Sequence, residues 1–180
     1  MTAADLEHSW RPGCPVGPAD LSLVTISHWD YAGRATTGRL VVRTDQAQPV
    51  VGVLQQLFDR GFRIHRMSPI EEFEGDDEAS MAANNSSGFN CRTVQAQPGV
   101  WSQHAFGTAI DLNPVQNPYV SGSGLVAPVQ GAAFQDRSID APGMIRHEDA
   151  VVQAFAAIGW EWGGSWSGSK DYQHFSLTGR

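Results

Sequence analysis

Ser102-Gln103-His104-Ala105-Phe106-Gly107-Thr108-Ala109-Ile110-Asp111 sets an imidazole and a carboxylate seven residues apart around a glycine. Near the C-terminus, Asp171-Tyr172-Gln173-His174 adds a second acid and histidine three residues apart. These types match what a catalytic zinc requires: three protein ligands, commonly two His and a carboxylate, an open position for water, and an unligated acid to move that water's proton. His104, Asp111 and His174 are the candidate ligands for one zinc ion, and Asp171 is the candidate base. A buried Asp–His hydrogen bond without metal is the alternative for the first segment taken alone.

Strand periodicity must position the first pair. Gly107 permits the backbone to reverse, after which Thr108, Ile110 and Leu112 alternate with Ala109, Asp111 and Asn113, so the apolar set faces the core and Asp111 faces away from it. The end of the chain, 171–177, reads as a final strand. Upstream, 21–28 and 39–43 alternate as strands around a turn-like YAGRATTG, Val50, Val53, Leu54, Leu57 and Phe58 recur at helical spacing up to Gly61, and 62–67 alternates again. A second helix is expected at about 147–158, where Val151, Val152, Phe155 and Ile158 form an apolar stripe.

Other segments carry weaker signals. The acidic run 71–78 does not fit a calcium loop and reads as a solvated charge run. The Pro-, Gly- and Ser-rich stretch 114–143 is too long for an ordinary connector and reads as a flap over the cleft. Three of the six tryptophans fall in 160–166; Trp160 is assigned to the core, and Trp162 or Trp166 to the cleft, with Trp162 the candidate substrate contact. Ser102 either hydrogen-bonds substrate or caps the turn. His8, His28, His65 and His147 read as surface or core residues.

A chain of 180 residues is most economically one domain, able to bury about two-thirds of its unfolded surface. Its formal charge of −7, with 12 scattered basic residues, argues against nucleic acid as a partner. No apolar run approaches the ~20 residues of a membrane span. The N-terminus lacks the basic start and apolar core of an export signal, so the substrate is reached with a leader outside these residues or by another route, such as release during phage lysis. Cys14 and Cys91 leave two possibilities, one disulfide or two free thiols; a disulfide would suit an oxidising compartment. There is no GxSxG elbow, and His147-Glu148 lacks the second His of HExxH.

SxHxxGxAxD, followed by an acid three residues before a final His-Phe, resembles the M15 peptidases: zinc D-alanyl-D-alanine carboxypeptidases, VanX/VanY-like dipeptidases and related phage endolysins. The resemblance runs from about residue 50 to 177. NNSSGFNCR before WSQHAFGTAIDLNPVQNPYV, and GW-EWGG-W before DYQHF, are closest to the carboxypeptidase branch. It implies an α+β domain with a small, mostly antiparallel sheet, packed helices and long loops, as in the distantly similar hedgehog signalling domain. Residues 1–45 would be an N-terminal extension and first strands of the domain whose peptidase core is 46–180.

The resemblance also implies zinc held by His104, Asp111 and His174, with Asp171 as base. Arg92 becomes the candidate oxyanion-stabilising cation, because related enzymes place an Arg upstream of the motif. The family usually has Glu at the base and Trp before the last His, where this chain has Asp171 and Gln173. The implied substrate is a peptidoglycan stem peptide, cut by a monomeric, extracytoplasmic D-alanyl-D-alanine carboxypeptidase. An L-alanyl-D-glutamate-type endopeptidase and a non-catalytic zinc- or wall-binding module are the alternatives.

Overall fold

β1 (Leu21–Trp29) and β2 (Ala35–Arg43) form an antiparallel hairpin, in register from Leu21 opposite Arg43 to Trp29 opposite Ala35, in the computed structural model, which describes residues 1–94, 97 and 99–179. Val24, Ile26 and His28 are buried while Leu23, Thr25 and Ser27 are exposed, the alternation expected of a one-faced sheet. The second strand starts four residues earlier than its apolar run suggests. The turn is confined to Asp30–Arg34, where the Asp30 carboxylate accepts from the Arg34 N–H and Nε, so Ala35–Gly38 are free to pair.

α1 (Thr44–Asp59) also begins before its expected start and runs through Pro49, burying Val50, Val53, Leu54 and Leu57. The expected strand at 62–67 shrinks to β3 (Arg66–Met67). Ile64 donates to the Trp29 carbonyl, and a side chain, the Asn113 amide oxygen, takes the His65 N–H in place of a ladder partner.

α2 (Asp77–Ala82) is capped by the Asp76 carboxylate, which accepts from the Ala79 N–H at 3.0 Å. The acidic run is therefore not merely solvated. Glu71 accepts from the His8 and Ser9 N–H groups, Glu72 pairs with Arg39 and Arg66, and Asp77 pairs with Arg92. β4 (Asn85–Ser86) lies parallel to β3.

The remaining strands are short: β5 (Ala109–Asp111), β6 (Tyr119–Val120) and β7 (Val126–Ala127), then α3 (Ala150–Ala156), β8 (Glu161–Trp162), β9 (Lys170–Asp171) and β10 (His174–Ser176). They build two antiparallel three-stranded sheets, β5–β10–β8 and β7–β6–β9. The expected final strand is thus two strands in different sheets, broken at Tyr172-Gln173. With helices around small, mostly antiparallel sheets, the fold is α+β.

One core runs through all of it. Val24, Ile26, Leu40 and Val42 of the hairpin share a cluster with Leu54 and Leu57 of α1, Phe155 of α3, and Ile110, Trp160, Trp162 and Phe175. A second cluster joins Leu6, Leu21, Val41, Phe89 and Cys91 under the N-terminal segment. Cys14 and Cys91 are paired in a disulfide, their Cα atoms 5.9 Å apart. Among the described residues, no helix is long and apolar enough to cross a membrane.

The stretch 114–143 is not a free flap. β6 pairs it to β9, and the Arg137 guanidinium donates to the carbonyls of Gln116, Phe134 and Ile145 and to the Asn117 side chain while lying 4.3 Å from the Tyr172 ring centroid. A guanidinium's several donors satisfy carbonyls that a loop would otherwise leave unpaired.

Candidate metal centre

His104 sits in a short 3-10 turn, Gln103–Phe106, whose first N–H groups need a cap. Ser102 supplies it, its hydroxyl accepting from the His104 N–H at 3.3 Å, so of the two roles open to this serine the structure shows the capping one. Gly107 closes the turn at φ 68°, where a side chain would be strained and its Cβ would also lie 2.6 Å from the Arg43 nitrogen. The chain then enters β5, which sends Ile110 into the core and carries Asp111 opposite His174 in β10. Strand pairing alone therefore brings together two residues 63 apart in sequence.

The three candidate ligands converge. His104 Nε2 lies 3.2 Å from Asp111 Oδ2 and 3.3 Å from His174 Nδ1, and His174 Nδ1 lies 3.0 Å from Asp111 Oδ1. Donor atoms on a tetrahedral ion with bonds of about 2.0–2.1 Å stand roughly 3.3 Å apart, close to the separation of the two imidazole nitrogens, with one carboxylate oxygen near each of them. The Gly88 carbonyl, which can only accept, takes a 2.6 Å hydrogen bond from His104 Nδ1. That fixes the proton on Nδ1 and turns the Nε2 lone pair toward the cluster, as a supporting carbonyl does for metal-binding histidines. The donor set fits zinc. All three side chains are buried.

Electrostatics agree. Burial alone would raise the Asp111 carboxyl, but His104 and then His174 hold it below the usual carboxylate range. Burial works against charge on His104 too, yet the Asp111 carboxylate outweighs it and raises the imidazole above its ordinary value. Asp111 thus draws a positive charge to this position, and a bound cation would take the place of the proton on His104.

Asp171 is placed differently. Its Oδ1 is sealed from solvent without a hydrogen-bond partner among the described residues. Burial is the main reason its carboxyl is pushed up to about 6, with Asp111 adding to the shift and His174 opposing it. A carboxylate titrating near neutrality beside a candidate metal is suited to moving protons. Gln173 shares that environment: it is buried, its side chain opposes the Asp171 shift by hydrogen bonding, and its Nε2 meets Met81 Sδ at 3.5 Å.

Arg92 pairs with Asp77 at 3.0 Å, and its positive field reaches His104. Trp162 is not a cleft residue. It is 3% exposed, packs on Phe175 and Tyr172, and donates its indole N–H to the Tyr172 carbonyl at 2.9 Å, so both its apolar face and its polar handle are used inside the core. Trp166, half-buried, stands with its ring 5.7 Å from that of His174. Gly163 was not singled out by sequence reasoning. A Cβ there would lie 2.6 Å from the Asp171 carbonyl oxygen and 2.8 Å from the Asp171 Cβ, so the absence of a side chain at Gly163 lets this turn press against the base's strand. Gly163→Ala is expected to displace Asp171 and lower peptidase activity at least tenfold while the circular dichroism spectrum is preserved.

Residues 95–177 match the family model described as D-alanyl-D-alanine carboxypeptidase, of the M15 peptidases. The matched stretch contains all three converging ligands and Asp171. That stretch is similar to the M15 peptidases. No curated protein and no solved structure matches the chain. The matched segment begins after Arg92 and the loop that supplies the Gly88 carbonyl, so the candidate metal centre draws support from residues outside the matched stretch. Nothing in the sequence pointed to that carbonyl, because a backbone oxygen has no residue signature.

Proposed function

We propose that this protein is a zinc-dependent M15 peptidase and hydrolyses the stem peptides of bacterial cell wall as a D-alanyl-D-alanine carboxypeptidase. The observation that carries the reading is the convergence of His104 Nε2, Asp111 and His174 Nδ1, with a desolvated acid, Asp171, in the same matched segment. Zinc held there would supply Lewis acidity, lowering the pKa of water toward ~7 and polarising the scissile carbonyl. Asp171 takes the proton from the attacking water and returns it to the leaving amine. Asp is one methylene shorter than Glu, which alters reach but preserves this proton transfer. Trp166 walls the side of His174, and Arg92 is the cation available for the developing oxyanion.

One observation favours a second reading. A carboxypeptidase must offer a further cation to the substrate's terminal carboxylate, and Arg92, the one assigned to the oxyanion, is already held by Asp77. An endopeptidase has no such need. The disulfide supports action outside the cytoplasm, where such bonds persist, and we take the acting form to be a monomer.

Mass spectrometry of stem peptides after incubation with zinc-loaded protein decides between these. Loss of one terminal D-alanine is the expected product; an internal cut establishes the endopeptidase. Tight zinc binding without any cleavage would leave a wall-binding module and overturn the enzymatic reading.

A further inference from the structure

The loop from Ser87 to Arg92 has no continuous strand or helix, yet it supports the metal centre at several points. Ser87 exchanges two backbone hydrogen bonds with Asp111, the Gly88 carbonyl holds His104 Nδ1, and the Asn90 N–H donates to the His104 carbonyl. On one side the loop is tied to β2 by a single bond from the Phe89 N–H to the Val41 carbonyl. On the other it is tied to the first sixteen residues, which lie outside the matched segment.

That second tie is extensive. Cys14 is joined covalently to Cys91, the Cys91 N–H donates to the Ser9 carbonyl at 2.9 Å, and Arg11 Nη1 donates to the Cys91 carbonyl at 2.7 Å. Glu71 in turn clamps the strap, accepting from the His8 and Ser9 N–H groups, and Leu6 is wholly buried against the loop's own Phe89 cluster. A loop without a ladder has conformational freedom that must be removed before a carbonyl can hold an imidazole in one orientation. The strap removes it.

We propose that Cys14, Cys91 and Arg11 are positioning residues of the metal centre: the N-terminal strap fixes the Gly88 carbonyl under His104 and so sets the affinity of the site for its ion. This rests on the reading of His104, Asp111 and His174 as zinc ligands. Loss of a hydrogen-bonding support beneath a metal-binding histidine weakens affinity by about 10–100-fold, and the strap acts one step further out.

The test is zinc titration of the metal-free protein against a chromophoric chelator, comparing the parent with Cys14→Ser/Cys91→Ser and with Arg11→Ala, which keeps the disulfide. Cobalt(II) replaces zinc in a parallel series, because its visible spectrum reports the geometry of the ligands and is indifferent to mere stability. The expected result is affinity about tenfold weaker in the double variant and several-fold weaker in Arg11→Ala, with an altered cobalt spectrum in both. Folded variants that bind zinc within about twofold of the parent, with an unchanged cobalt spectrum, would overturn the proposal and leave the strap a stabiliser of the fold alone. If the double variant does not fold, Arg11→Ala decides. A parent that binds no zinc removes the metal reading itself, an outcome distinct from equal binding by parent and variants.

Discussion

Asp171→Asn is expected to lower kcat on stem peptides by about 10²–10⁴-fold, the usual contribution of a positioned acid–base group, while zinc still binds. The amide keeps the shape of the carboxylate but cannot take a proton from water. In the parent, kcat/KM should fall toward acid with a midpoint no higher than about 6, because burial raises the Asp171 carboxyl to that value and a bound cation would draw it lower. Above the midpoint the carboxylate is available as base; below it the group is already protonated.

The same substitution should stabilise the metal-free protein. The folded carboxyl titrates above its unfolded counterpart, so its contribution to folding is present below about pH 4 and is lost as pH rises through about 6. At neutral pH the desolvated carboxylate costs up to about 2–3 kcal/mol, which the neutral amide avoids. Thermal melts should therefore show Asp171→Asn more stable than the parent near neutrality and level with it at about pH 4. An unchanged melt together with unchanged turnover would remove Asp171 from both roles.

Asp111→Ala should have the largest effect on metal binding. It deletes a ligand rather than a support, so affinity should drop by more than the roughly 100-fold that marks loss of a supporting group, with activity lost in step. Two buried imidazoles would then face each other at 3.3 Å between Nε2 and Nδ1 without their carboxylate. Breaking a buried charge pair costs about 3–5 kcal/mol, so the variant should also melt well below the metal-free parent. Calorimetric zinc titration and thermal melts in chelator check both halves. In the parent, zinc at about 1,000 times its Kd should add roughly 4 kcal/mol of stability, and at the same zinc concentration the variant should gain less than about 1.4 kcal/mol.

Much of this was legible without coordinates. His104, Asp111, Asp171 and His174 are types that do chemistry, at spacings a short strand makes meaningful, and the alternation of Ile110 and Leu112 with Asp111 separated the apolar core face from the face that carries the carboxylate. The helical stripe of α1 and the alternation of β1 were readable because hydrophobic periodicity is local. Gln173 was visible as a departure from the family pattern, but not its place beside Asp171.

Tertiary structure decided what depends on partners distant in the chain. Trp162 and Trp166 look alike in sequence; the Tyr172 carbonyl and Phe175 take the first into the core, and the second is left beside His174. The acidic run looked solvated because its partners, His8, Ser9, Arg39, Arg66 and Arg92, lie far from it in the chain or on other strands. The stretch 114–143 looked loose because nothing local shows that Arg137 satisfies its carbonyls. The sequence by itself determined which atoms could hold a metal and move a proton. The orientation of those atoms was decided by backbone groups and a disulfide brought from elsewhere, since a carbonyl oxygen acquires a role only when folding gives it a neighbour.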